Sequence, residues 1–232
     1  MQGFKHYSFD LWMTLIRSNP VFKGERASFF HRNYNPRKKS LEEVTAIFRQ
    51  VDVMCNAINE RTGGNIDAEE MYGMVLSAMT DYEAHLPDFD LHEIYAEVEV
   101  LLLNNLPMLF CSSTKRVLDQ LAQTGKSKIS LLSNTAFIKG STLRKVMDQL
   151  QLAFYFDFQI YSDELGLSKP NPALFGHFRQ TVSEHWKDND PDLQEIIHIG
   201  DNYRADVLGA KTLGIEGLLI NSNNSCISTL LN

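Results

Sequence analysis

The chain has 232 residues, 44% of them hydrophobic and 22% charged, and carries a net charge of −7. That length suffices for one large domain or a core with a smaller insert, and the composition is that of an ordinary globular protein. The acidic balance argues against a dedicated binder of nucleic acid or anionic membrane, and no run approaches the ~18 apolar residues of a membrane span.

The charge is uneven, because the seven Lys and Arg residues between Arg17 and Lys39 face Glu25 alone, a local net of +6. The cysteines Cys55, Cys111 and Cys226 lie far apart without Cys-x-x-Cys spacing. They offer neither a zinc site nor a disulfide framework and read as small apolar side chains in a reducing compartment. With no leader ahead of its first strand, the protein is expected in the cytoplasm.

The first element is a short buried strand through Tyr7 and Phe9, ending on a carboxylate, Asp10, with Trp12 and Thr14 close behind. Ligands of open α/β sheets bind outside the carboxyl ends of the strands, where such a carboxylate can do chemistry. An Asp there is also an ordinary helix N-cap. From about 20 to 106 the pattern is helical. Ser40 with Glu43 caps a helix over 40–61, in which Val44, Ile47, Phe48, Val51 and Cys55 recur at helical spacing, and Gly63-Gly64 stops it. A second helix follows Asp67 and a third starts near 90, with methionines that read as core filler rather than a cofactor site. These helices are expected to pack as a bundle.

After Pro107 strands and helices alternate. Ser112-Ser113 caps a helix through Leu121 that ends at Gly125, and a strand over 128–132 ends at Ser133-Asn134. A helix over 140–151 and a strand over 156–161 lead to Lys169-Pro170. A helix over 172–186, a strand over 196–199 ending at Gly200-Asp201, a helix over 204–213 and a strand over 217–220 complete the chain. The alternation predicts a mostly parallel sheet with right-handed crossovers.

Asp10-x-x-x-Thr14, Ser133-Asn134, Lys169-Pro170 and Gly200-Asp201-x-x-x-x-Asp206 resemble, in order and at successive strand ends, the four motifs of the haloacid dehalogenase-like hydrolase superfamily. The resemblance implies an α/β, Rossmann-like catalytic core over 1–16 and 107–232 with strand order 3-2-1-4-5. It also implies a helical cap domain over 17–106, inserted after the first motif. Asp10 and Asp201 would then face each other across the switch point between the first and fourth strands. Carboxylates that close repel unless a cation joins them. Mg2+, which takes oxygen ligands, would sit on Asp10, Asp201 and the Trp12 backbone carbonyl, with Asp206 orienting a water or Lys169 beside it. Asp10 becomes the nucleophile of a covalent aspartyl intermediate. Ser133 and the backbone N–H groups around Asn134 hold a phosphoryl oxygen, Lys169 neutralises charge there, and the Thr14 hydroxyl bonds the nucleophile's loop. Singly, Ser133 and Asp201 also read as helix caps and Lys169 as a solvated turn residue. Their order together points to chemistry.

The pattern breaks at Trp12. Phosphatases of the superfamily carry a second Asp there as general acid, a function that typically contributes ~10²–10⁴-fold and that indole cannot perform. The 2-haloacid dehalogenases resemble this chain in having an aromatic residue at that position, since halide leaves without a proton. They lack an acidic residue matching Asp201, however, and have Gly in place of Met13. Phosphonoacetaldehyde hydrolases use a cap lysine for an imine, and nothing singles out Lys23 for that work. The acidic motif favours metal-dependent chemistry on a small anionic, phosphorylated substrate. Dehalogenation is the rival, and a phospho-ligand-binding protein without turnover is a third reading. In the basic segment Lys23, Arg26, His31 or Arg32 is expected to touch that substrate, whereas Arg37, Lys38 and Lys39 read as a solvated turn. His198 reads as a satisfied core histidine, and His6, His31, His85, His92, His177 and His185 form no spaced metal cluster.

Overall fold

The computed structural model describes residues 3–83, 89–123 and 125–231, which leaves His85 outside the described residues. The chain opens with β1 (His6–Phe9) and, after a tight turn, β2 (Ile16–Arg17). Four helices follow, α1 (Pro20–Asn33), α2 (Leu41–Thr62), α3 (Ala68–Met79) and α4 (Leu91–Asn104), before β3 (Met108–Leu109) pairs antiparallel with β2. Next come α5 (Thr114–Gln123), β4 (Lys128–Ser133), α6 (Gly140–Gln149), β5 (Phe158–Tyr161), α7 (Ser162–Leu165) and α8 (Pro172–Trp186). The last elements are β6 (Ile196–Gly200), a π-type turn over Tyr203–Leu208 running into α9 (Gly209–Lys211), and β7 (Glu216–Leu219).

The central sheet is parallel throughout, in the order β5-β4-β1-β6-β7. Every residue of β1 and β6 is buried, as expected of strands covered on both faces. Counted among themselves the five strands run 3-2-1-4-5, and only the numerals differ, because β2 and β3 intervene in the chain as a separate two-stranded ribbon. Strands of two residues carry no alternation, and their pairing spans the whole helical stretch, so local pattern does not reveal them. Within the five-stranded sheet the first strand is central, which brings the carboxyl ends of β1, β4 and β6 side by side.

The helix boundaries follow from their caps. Ser40 and Glu43 form a reciprocal capping box at the start of α2, and Gly63, at φ +71°, ends it in the left-handed conformation glycine tolerates best. Asp67 with Glu70 opens α3 in the same way, and Asp90 accepts from the His92 and Glu93 amides at the start of α4. The expected strand over 156–161 is shorter, because Ala153–Tyr155 forms a 3₁₀ turn. The apolar faces of α1–α4 pack on one another and on the loop after β4: Phe137 stacks obliquely on Phe48 and Tyr72, with centroids 5.4 and 5.1 Å apart, and the Tyr72 hydroxyl donates to its carbonyl. One apolar core therefore runs from Phe9, Leu131 and Ile199 in the sheet to Phe30 and Phe48 in the helices.

Cys55 is buried, as expected of a small apolar side chain. Cys111 and Cys226 are only half-buried and come together in space. Burial raises the Cys226 thiol, but hydrogen bonds from Cys111 and Ser228 bring it below its ordinary value. Among the described residues no helix is long and apolar enough to cross a membrane.

Candidate active site

The site is built where β1 stops. The Asp10 amide continues the ladder by donating to the Ile199 carbonyl at 2.9 Å, which fixes the Asp10 side chain at the mouth of the sheet. The chain then turns sharply, with the Leu15 and Ile16 amides both donating to the Leu11 carbonyl at 2.9 and 3.0 Å. Met13 takes the left-handed conformation, φ +59°, at the crest of this turn. The turn sends Thr14 into the interior. Contrary to expectation its hydroxyl bonds nothing among the described residues, and the loop is held instead by Asn221, whose amide donates to the Met13 and Thr14 carbonyls at 2.8 and 3.1 Å.

Lys169 is among the most deeply buried side chains, 1% exposed. Its ammonium has three protons and three acceptors: Asp10 Oδ1 at 2.8 Å, Asp206 Oδ1 at 2.7 Å and the Leu132 carbonyl at 2.7 Å. Asn134 fixes the lysine from behind. Its Oδ1 accepts from the Lys169 amide at 2.7 Å and its Nδ2 donates to the Lys169 carbonyl at 3.0 Å, next to the cis Lys169-Pro170 peptide. Asp206 is anchored further by the Asn202 amide to Oδ2 at 2.9 Å and by His198 Nε2 to Oδ1 at 3.2 Å. Ser8 Oγ meets the other ring nitrogen of His198 at 2.9 Å, so the histidine is the satisfied core residue its position suggested. Gly200 admits this arrangement, since a Cβ there would lie 2.0 Å from Asp206 Oδ2.

Carboxylate oxygens of Asp10, Asp201 and Asp206 lie within 4.8 Å of one another. Burial would discharge Lys169, but Asp10 and Asp206 outweigh it and raise its pKa, so the lysine stays charged. Burial also opposes ionisation of Asp206, yet Lys169 and His198 hold it well below the carboxylate range. Asp10 is pushed up by burial, offset in part by Lys169 and reinforced by Asp206. Asp201 is pushed up to about 7 by burial and then by Asp10 and Asp206. With all three carboxylates ionised against one ammonium the cluster would carry two negative charges, a donor set suited to a divalent cation, which would relieve the repulsion that adds to burial in raising Asp10 and Asp201.

The cluster forms the floor of a cavity of about 430 Å³, within the range of small-molecule sites. Trp12, Asn134, Lys169 and the three aspartates line it from the sheet side, Lys23 and Arg26 from α1. Arg26 is buried, its guanidinium 4.3, 4.6 and 5.3 Å from the ring centres of Phe48, Phe137 and Phe22, and its Nε has no partner among the described residues. Ser133, like Thr14, is fully buried off the cavity wall, with its hydroxyl donating to the Asn134 carbonyl at 3.1 Å. His31 and Arg32 do not line the cavity either. Sequence reasoning missed Asp52, Asn56 and Glu60, which line it from α2. The signal was available as a polar row at i, i+4 and i+8 beside an apolar stripe. Glu60 Oε1 accepts from Asn202 Nδ2 at 2.5 Å, tying this helix to the loop that carries Asp201.

The profile of the haloacid dehalogenase-like hydrolase family matches residues 4–214. Pyrimidine 5'-nucleotidase YjjG of Escherichia coli is 27% identical over 101 residues, 43% of this chain and 40% of that protein. This chain spans about half the length of the first curated relatives it matches. A magnesium-bound structure of the HAD-hydrolase YfnB from Bacillus subtilis aligns over 97% of this chain and 92% of its own, with TM-score 0.71 and 14% identity. The L-2-haloacid dehalogenase of Xanthobacter autotrophicus with chloropropionic acid covalently bound aligns over 92% and 76%, with TM-score 0.59 and 20% identity. Both likenesses are in the fold.

Proposed function

Because the chain belongs to the haloacid dehalogenase-like hydrolases, we propose that it is a magnesium-dependent phosphohydrolase that cleaves a small phosphorylated metabolite through an aspartyl phosphate on Asp10. The observation that carries this reading is the buried ammonium of Lys169 held between Asp10 and Asp206, with Asp201 facing both carboxylates. Asp10, Asp201 and the Trp12 carbonyl would hold the Mg2+, with Asp206 keeping Lys169 beside them. When bound, the cation neutralises the phosphoryl charge and the repulsion among the carboxylates.

A free Asp10 carboxylate oxygen attacks phosphorus, the bond from phosphorus to the leaving oxygen breaks, and the acyl phosphate forms. Water then attacks phosphorus and Asp10 departs as carboxylate. Lys169, already desolvated and fixed by three acceptors, stabilises the charge that develops on the phosphoryl oxygens without having to reorganise. Ser133 would reach a phosphoryl oxygen only by leaving its bond to the Asn134 carbonyl and turning into the cavity, and Asn134 keeps Lys169 in line. Residues 17–106 serve as the cap, swinging on the ribbon of β2 and β3. Arg26 and Lys23 bring positive charge to the substrate as the cap closes and water leaves. Such an enzyme works in the cytoplasm, in keeping with its three free cysteines.

Trp12 favours a second reading, a 2-haloacid dehalogenase, whose leaving halide needs no proton. Asp201 weighs against it, because a second acidic side chain beside Asp10 serves a bound cation and is of no use to a halide displacement that needs none. Mass spectrometry of protein acid-quenched during turnover of an activated aryl phosphate tests the proposal. One phosphoryl group on Asp10, lost in Asp10→Asn, is the expected result, and an unmodified Asp10 under turnover refutes it.

A further inference from the structure

The phosphohydrolase reading leaves one step unassigned: protonation of the leaving oxygen, for which Trp12 has no acid to offer. Resting on that reading, we propose that Asp52 of α2 supplies this proton, so that the general acid comes from the helical insert rather than from the loop of the nucleophile. Five carboxylates line the cavity: Asp10, Asp52, Glu60, Asp201 and Asp206. Asp10 and Asp206 are bound by Lys169, Glu60 accepts from Asn202 at 2.5 Å, and Asp201 faces the other two aspartates at the cation position.

Asp52 alone stands outside this cluster while sharing its cavity. Among the described residues its carboxylate is hydrogen-bonded only by Asn56 Nδ2, at 3.3 Å, and it has no ion-pair partner. The charged and titratable groups that act on it are Arg26 and Lys23 of α1, while Cys55 lies next to it on α2. Burial raises its pKa against the pull of both cations, the direction a proton donor needs.

The proton balance closes over the cycle. As Asp10 attacks phosphorus, the electron pair of the breaking P–O bond passes to the leaving oxygen, which takes the Asp52 proton and departs as an alcohol. Asp52 is left as carboxylate. In the second half, water attacks the aspartyl phosphate, its oxygen joins phosphorus, its proton returns to Asp52, and Asp10 is released as carboxylate with inorganic phosphate.

The test compares two esters in the full-length protein with magnesium: p-nitrophenyl phosphate, whose leaving group needs no proton, and glycerol 3-phosphate, whose alkoxide does. In Asp52→Asn, kcat/KM for the alkyl ester is expected to fall by about 10²–10⁴-fold and that for the aryl ester by less than about tenfold. The fall of alkyl-ester kcat/KM at high pH in the unmodified protein should vanish with the acid. A general packing defect would lower both esters alike, so equal losses, or none, overturn the assignment. An unmodified protein that cleaves the aryl ester but not the alkyl one also overturns it while leaving the phosphohydrolase reading intact. Absence of magnesium-dependent phosphate release from either ester removes both.

Discussion

Lys169 carries its ammonium 2.8 Å from Asp10 Oδ1 at a point where neither side chain has appreciable access to water. The same ammonium also holds Asp206, so the lysine compensates two buried carboxylates at once. Deleting one partner of a buried charge network leaves the others uncompensated, which typically costs about 3–5 kcal/mol. Lys169→Met is therefore expected to unfold at markedly lower urea concentration without magnesium and to lose hydrolysis altogether. Urea titrations with and without magnesium check this, and the cation should recover part of the lost stability.

Met13 sits at φ +59° with its side chain half exposed, so its conformation costs energy that side-chain burial does not return in full. Glycine adopts this geometry freely. Met13→Gly is expected to raise the unfolding free energy by about 1 kcal/mol in denaturant titration. A loss of stability would show that the methionine's contacts outweigh its backbone strain.

His6 is buried, with Ser130 Oγ 2.8 Å from Nε2 and the Trp186 indole donating to Nδ1 at 3.3 Å. Its pKa falls from 6.5 to about 3, first through burial and then through His185, Lys128 and Arg179. The folded value lies below the unfolded one, so the unfolded chain takes the proton first. The contribution is whole above pH 6.5 and drains away as pH falls toward 3, with a slope of up to about 1.4 kcal/mol per pH unit. His6→Asn should be less stable at pH 8 but lose less stability between pH 6.5 and 4, as read from urea midpoints at several pH values.

Magnesium should raise the thermal midpoint of the unmodified protein with increasing concentration, by mass action on the folded state. Asp201→Asn removes one carboxylate of the cation site, and the rise should largely disappear. A variant that keeps the full rise would move the cation away from Asp10 and Asp201.

Much of this architecture is legible in local chemistry. Ser40 with Glu43, Asp67 and Gly63 mark helix ends because caps satisfy backbone groups within a few residues of themselves. Asp10, Lys169, Asp201 and Asp206 could be assembled because a central first strand brings strand ends together. What stayed hidden depends on distant partners. Thr14 turns inward because Met13 turns left-handed, and the thiols of Cys111 and Cys226 meet only in the folded chain. Arg26 announced its charge but not its burial among three phenylalanine rings. Asp52, Asn56 and Glu60 look like one solvated face of a helix until the cavity below them is seen.

The central claim, Asp10-dependent phosphoryl chemistry with a cation, is tested most directly by assaying an activated aryl phosphate and 2-chloropropionate in parallel. Each is run with magnesium and with excess chelator, with Asp10→Asn as the blank. Phosphate release that requires both magnesium and Asp10, without chloride release, is the predicted result. Chloride release that survives chelation would contradict it and assign the site to dehalogenation.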